Sequence, residues 1–242
     1  MSEKRKQFET TDEMLDYLSP NIINTKKLKD GDILGFSARR FEIYATPIKM
    51  LTRSPYNHVG GIITRERLEF EADARIKKVL DKHPDEEFFV AEARIIGFVL
   101  NPLSMFIKMV DKGRQYLTVK RLSPSKFPSK YSCEKRRRLA TDKLIQFVLE
   151  RRRYDFGAIV TLGVHGVVKS VFRRLGLRNN YTASKNRIFC SEAICRAYYI
   201  EGDDRTIFVG KNDKKATCAT ITPGDIMKTE KVFYVTGWKQ GE

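Results

Sequence analysis

The chain has 242 residues, 41% of them hydrophobic and 11% aromatic, which excludes a disordered polypeptide and suits one large domain with a sizeable core. Its 46 Lys and Arg against 30 Asp and Glu give a net charge of +16. No run of 18 apolar residues occurs, so a membrane-spanning helix is not expected.

The opening MSEKRKQFETTDEMLDYL lacks an apolar stretch followed by a small-residue cleavage site, so it does not read as a signal peptide. Within it, Thr10 and Glu13 have capping-box spacing and Met14, Leu15 and Leu18 share a face, predicting a short helix over 10–19 that Pro20 stops. Residues 1–27 are expected to form an N-terminal helical extension, and 28–242 the main domain. LKDGDILGFSA (28–38) predicts a turn and an apolar strand, and 39–52 a helix ending before SPY. YNHVGGIITRER (56–67) predicts a strand, whereas 68–82 fits either a strand then a helix, or one helix. EEFFVAEARIIGFVL (86–100) and QYLTVKRL (115–122) are rich in strand formers, with a loop at SPSKFPS.

Residues 133–153 carry the clearest helical spacing, through Leu139, Ala140, Leu144, Phe147 and Val148. Glu134 falls in the first turn and three arginines in the last, complementing the helix dipole. An amphipathic helix is expected over 157–176, a loop to 186, a helix over 190–200 and a strand over 231–238. Helices and strands mix without strict alternation, so the fold class is α+β.

The charge is concentrated. Between Lys120 and Arg187, 18 basic residues face four acids, a net of +14. Such a field attracts phosphate-rich surfaces: an anionic membrane or another polyanion. A merely solvated face is the plainer alternative. Few aromatics interleave with these basic residues, so no specific nucleic-acid readout is expected.

Four cysteines, at 133, 190, 195 and 218, form no CxxC pair and need no staple in a chain this long, which predicts free thiols and a cytoplasmic location. No cofactor or metal is expected, since neither a phosphate-binding glycine motif nor zinc-ligand spacing occurs. Cys190 stands apart. It opens a helix in NRIFCSEAICRAYY, where exposed N–H groups and the helix dipole favour a thiolate, the nucleophilic form. A small buried apolar residue is the alternative. Of three histidines, His83 lies in a charged turn and His165 in the amphipathic segment. His58 sits at a strand entry, from which an imidazole can face a helix N-terminus packed on the same sheet.

The ordered pieces GDIL, SPYNHVGGII, FFVAEARIIGFVL, LTVKRL, YDFG, FCSEAICRAY and TPGDI resemble the circularly permuted papain-like proteins of the NlpC superfamily, most of all its YiiX-like branch, over residues 31 to about 235. More distantly they resemble the lecithin:retinol acyltransferase group. The resemblance implies an antiparallel sheet or half-barrel packed on helices, with histidine preceding cysteine in the chain. It implies Cys190 as nucleophile, His58 as base and a glutamate of an "EA" strand as the orienting residue. Glu71-Ala72 and Glu92-Ala93 both offer that pair; Glu92 has the better surroundings, between two apolar runs. Residues 68–87 would then be an insertion between adjacent strands. Asn57 and Phe189 stand where the family has serine and tyrosine, and the resemblance implies no role for the apolar, basic stretch after YDFG. Tyr56 is a candidate oxyanion donor. The implied activity is a cysteine amidase or acyl hydrolase working through a thioester on a peptide, lipid amide or ester. The alternatives are a phospholipid-directed acyltransferase and a basic binding module without chemistry.

Overall fold

The computed structural model describes residues 23–38, 54–94, 96–125, 132–154, 187–199, 218 and 221–238. The expected helices over 10–19, 39–52 and 157–176 lie outside these residues.

Six antiparallel strands make the main sheet: β1 (Ile33–Ala38), β2 (His58–Thr64), β3 (Phe88–Arg94), β4 (Gly97–Pro102), β5 (Gln115–Leu122) and β8 (Val232–Gly237), in the order β4-β3-β2-β1-β5-β8. A small parallel pair joins β6 (Arg153–Tyr154) to β7 (Arg187–Ile188). The helices are α1 (Arg65–Glu69), α2 (Ala74–Lys82), α3 (Leu103–Asp111), α4 (Cys133–Leu149), α5 (Cys190–Tyr198) and α6 (Pro223–Lys228). The architecture is the expected α+β one: an open antiparallel sheet packed against helices.

Both faces of the sheet are covered, which is why its strands read as nearly continuous apolar runs. On one face Val59, Ile63, Phe89 and Ala91 pack with Leu144 and Phe147 of α4 and Ala193 and Ile194 of α5. On the other, Leu34, Phe36, Ile62, Val90, Leu117 and Val119 pack with Leu103 and Phe106 of α3, and with Ile23 and Leu28. Burying an aliphatic side chain such as Leu144, which is 0% exposed, contributes about 1.5–3 kcal/mol.

Several boundaries differ from expectation for local reasons. The strand expected to Arg67 stops at Thr64, whose side chain caps α1 by accepting from the Arg67 N–H at 3.2 Å. The segment 68–82 is neither one helix nor strand-then-helix: it takes in the end of α1 and all of α2, with Asp73 capping α2. The run 86–100 splits into the hairpin β3–β4, where Gly97 adopts φ +118°, a conformation that favours glycine. α3 falls where no element is predicted, although Leu103, Phe106 and Val110 follow a helical period. α4 ends at Leu149, and Arg151 at φ +48° breaks it, so the arginine triplet falls outside the last turn. Thr222 and Asp225 form a capping box that opens α6.

The expected set of four free thiols does not hold. Cys195 and Cys218 are disulfide-bonded, with Cα atoms 5.4 Å apart, leaving Cys133 and Cys190 free. They are 23 residues apart, and sequence alone does not tell which side chains fold to the same place.

Candidate active site

The site is assembled at the start of β2. His58 is that strand's first residue, and β2 pairs with β3 so that Gly60 stands directly opposite Glu92. Residues two apart on a strand share a face. His58 and Glu92 therefore lie diagonally on the face that carries Phe36, Val90 and Phe106. The lack of a side chain at Gly60 matters: a Cβ there would come within 2.7 Å of Val90 and 3.4 Å of the Glu92 Cβ. The gap lets the carboxylate reach along the sheet to the imidazole. His58 Nε2 lies 2.7 Å from Glu92 Oε2.

Cys190 approaches from α5, which packs on the opposite face. Because His58 stands at the strand's end, its ring reaches around to the helix head. The Cys190 thiol is hydrogen-bonded to His58 and also meets the backbone N–H groups of Val59 and Ser191. With Nε2 committed to Glu92, Nδ1 is the ring nitrogen left for sulfur. Cys190 is 4% exposed, whereas the His58 side chain is 19% exposed, so solvent reaches the pair from the imidazole side.

The electrostatics follow from these contacts. Burial opposes an imidazolium, but the adjoining Cys190 charge, its hydrogen bond and the Glu92 carboxylate override it and push His58 up to about 10. Burial likewise opposes a thiolate at Cys190. The His58 charge and hydrogen bond, with the two backbone N–H groups, draw the thiol below its ordinary value. Glu92 is 2% exposed, which alone would raise it; His58 and Arg94 instead hold it below the usual carboxylate range. Each shift runs toward the charged form: thiolate at Cys190, imidazolium at His58 and carboxylate at Glu92.

The structure thus brings together Cys190, His58 and Glu92. Glu71 is elsewhere, paired with Arg67 at 3.2 Å just past the end of α1. The segment 68–87 indeed intervenes between adjacent strands. The Tyr56 hydroxyl is committed elsewhere: it donates to Thr118 Oγ1 at 3.2 Å, and its ring stands against Trp238. Ser191 donates to the Ile221 carbonyl at 2.6 Å, and Glu192 pairs with Arg196 at 2.5 Å, so both brace α5. No side chain caps α5 at Phe189, and its first-turn N–H groups head the helix beside the thiol.

Two residues of the site are not apparent from the sequence reading. Arg94 Nε donates to Glu92 Oε1 at 2.5 Å, and Asn101 Nδ2 donates to the same oxygen at 2.9 Å. Arg94 was findable, since it sits two positions beyond Glu92 on the same strand face. Asn101 requires the β3–β4 register.

The chain is similar to the solved structure of the metalloprotein YiiX from Escherichia coli O157:H7, with a TM-score of 0.53 and 15% identity, covering 88% of this chain and 99% of that one. At this identity the likeness establishes the fold, which is papain-like. No family model matches the chain, and no curated protein sequence matches it. YiiX is a metalloprotein. Among the described residues of the present chain, no group of three or more His, Cys, Asp and Glu could hold a metal ion. Both Glu92 oxygens accept hydrogen bonds. No described helix is long and apolar enough to cross a membrane.

Proposed function

We propose that this protein is a cysteine-dependent amidase or acyl hydrolase of the permuted papain-like, NlpC-superfamily type. The observation that carries the reading is the His58 ring set between the Cys190 thiol and the Glu92 carboxylate. The thiolate attacks an acyl carbonyl carbon, forming a C–S bond and a tetrahedral oxyanion. The N–H of Cys190, at the head of α5, donates to that oxyanion. Collapse breaks the C–N or C–O bond, and the leaving group takes the proton from His58 Nδ1. The resulting thioester is attacked by water, whose proton passes to His58 as the thiolate leaves. Glu92 keeps the ring facing sulfur and stabilises its charged form. The substrate class is a peptide, lipid amide or ester.

A small alkylating probe at neutral pH tests this first, because burial pushes the other free thiol, Cys133, up. Cys190 is expected to react before Cys133, and Cys190→Ala to abolish hydrolysis across peptide and lipid amide panels. Faster labelling of Cys133, or turnover surviving in the alanine variant, would sink the reading.

A second reading, phospholipid-directed acyl transfer at an anionic surface, is favoured by one observation. A groove of about 430 Å³ between α2 and α3 is lined by Lys82, Lys108, Lys112 and Arg114 around Met105 and Met109, with no acidic side chain. Flotation with vesicles containing anionic lipid is expected at low salt and lost as salt rises. Absence of binding at low salt removes this reading and leaves hydrolysis. A cytoplasmic, membrane-peripheral location remains part of the proposal. The Cys195–Cys218 bond pulls against it, since such bonds persist in oxidising compartments; mass spectrometry of alkylated lysate reads the state of that pair.

A further inference from the structure

The two oxygens of Glu92 serve different neighbours. Oε2 faces His58, whereas Oε1 takes both Arg94 Nε and Asn101 Nδ2. A carboxylate this deeply buried tends to take up a proton unless a cation and donors satisfy it. Nor does a carboxylate held at one oxygen alone keep a fixed rotation. Arg94 supplies both a charge and a direction. Its guanidinium lies over the Phe106 ring at 5.6 Å, Phe106 meets Phe36 at 5.1 Å, and Phe36 meets the His58 ring at 5.0 Å. Arg94 and His58 therefore rest on one aromatic floor with Glu92 between them. A shift at either end is resisted by the same packed rings.

We propose that Arg94 is a positioning residue for the thiol–imidazole pair: with Asn101 it occupies the far oxygen of Glu92, so that the near oxygen stays ionised and aimed at His58. The proposal rests on Cys190 being the thiolate nucleophile. The groups facing Glu92 are His58 from β2, Arg94 from its own strand and the uncharged Asn101 from β4. α5 reaches it through Cys190 and His58. α3 contributes only the Phe106 ring, its Lys108 and Asp111 being exposed. Without Arg94, the carboxyl protonates at higher pH and releases the imidazole. The ring, still protonated in acid, is no longer held against the sulfur, and the thiolate loses the cation beside it. A change at Arg94 thus reaches Cys190 without touching it.

The test is the pH profile of iodoacetamide alkylation at Cys190, read by mass spectrometry in the unaltered protein, Arg94→Met and Arg94→Lys. Arg94→Met is expected to move the acid-side midpoint up by about one pH unit. Arg94→Lys keeps the charge but loses the Nε–H fork and is expected to move it the same way by less. An unmoved midpoint in folded Arg94→Met overturns the proposal. Should that variant not fold, an unmoved midpoint in Arg94→Lys does so. This readout needs no substrate. A protein that alkylates as expected but hydrolyses nothing loses the hydrolase reading and keeps the Arg94 assignment; one that hydrolyses with an unmoved midpoint does the reverse.

Discussion

Asp32 and Glu92 are both buried carboxylates beside or within the main sheet, and they do opposite things. Asp32, just ahead of β1, is 0% exposed. It accepts from Arg121 Nε and Nη2 at 2.6 and 2.7 Å and from the Lys29 N–H at 2.9 Å, with Arg137 at 3.8 Å. Arg121 Nη2 also donates to the Lys27 carbonyl at 2.6 Å. That network closes on the backbone and fastens the entry to β1 against β5. Glu92 also has an arginine, but its other branch runs through His58 and ends at a thiol. The electrostatic outcomes diverge accordingly. Burial outweighs its arginines and pushes Asp32 above the usual carboxylate range, while His58 and Arg94 hold Glu92 below it. A buried acid with a closed set of partners fixes a fold; one whose partners lead to a titratable pair can serve chemistry.

The largest expected effect tests the closed side. Arg121→Met leaves Asp32 buried without its main cation and should cost about 3–5 kcal/mol in denaturant unfolding. A cost under about 1 kcal/mol would remove the structural role given to that pair. On the open side, Glu92→Gln should lower hydrolysis about 10²-fold or more with a smaller loss of stability than Arg121→Met. If stability falls as far while turnover holds, the two carboxylates are of one kind.

The pH dependence separates them more finely. Glu92, held low, contributes stability present above its unfolded value of 4.5 and lost as pH falls through its folded value. His58, raised to about 10, contributes stability present below 6.5 and lost as pH climbs through 10. Asp32, raised, works the other way from Glu92 and favours the folded state as acid is added. Glu92→Gln should therefore flatten the acid limb of the stability curve; a steeper limb would contradict the assignment. The smallest effect belongs to Glu71→Gln. Its pair with Arg67 is partly exposed, and stability should change by less than about 0.5 kcal/mol with turnover unaltered.

Much of this was legible in residue order. The strand at 115–122 and the helix opening at Cys190 are bounded by unambiguous apolar periods, and the His58, Glu92 and Cys190 contexts each stand beside one. What escaped depends on pairing across the sheet. Asn101 becomes a neighbour of Glu92 only once β4 lies beside β3. The hydroxyl of Tyr56 is drawn away by Thr118, a partner 62 positions distant. The basic cluster also reads differently when folded. Arg136 is 1% exposed and donates to the Tyr198 carbonyl at 3.0 Å, and Arg152 pairs with Glu150 at 2.6 Å over the Phe147 ring. Side chains that look like a field for polyanions are partly consumed inside the protein.

The bond between Cys195 and Cys218 ties the helix bearing Cys190 to the stretch leading into α6, and so closes residues 196–217 into a covalent ring. A protease that nicks the chain once inside that ring would not release a fragment. The cleaved protein should run as one species on a gel without reductant and as two with it, so an intact-looking band is no proof of an unbroken backbone.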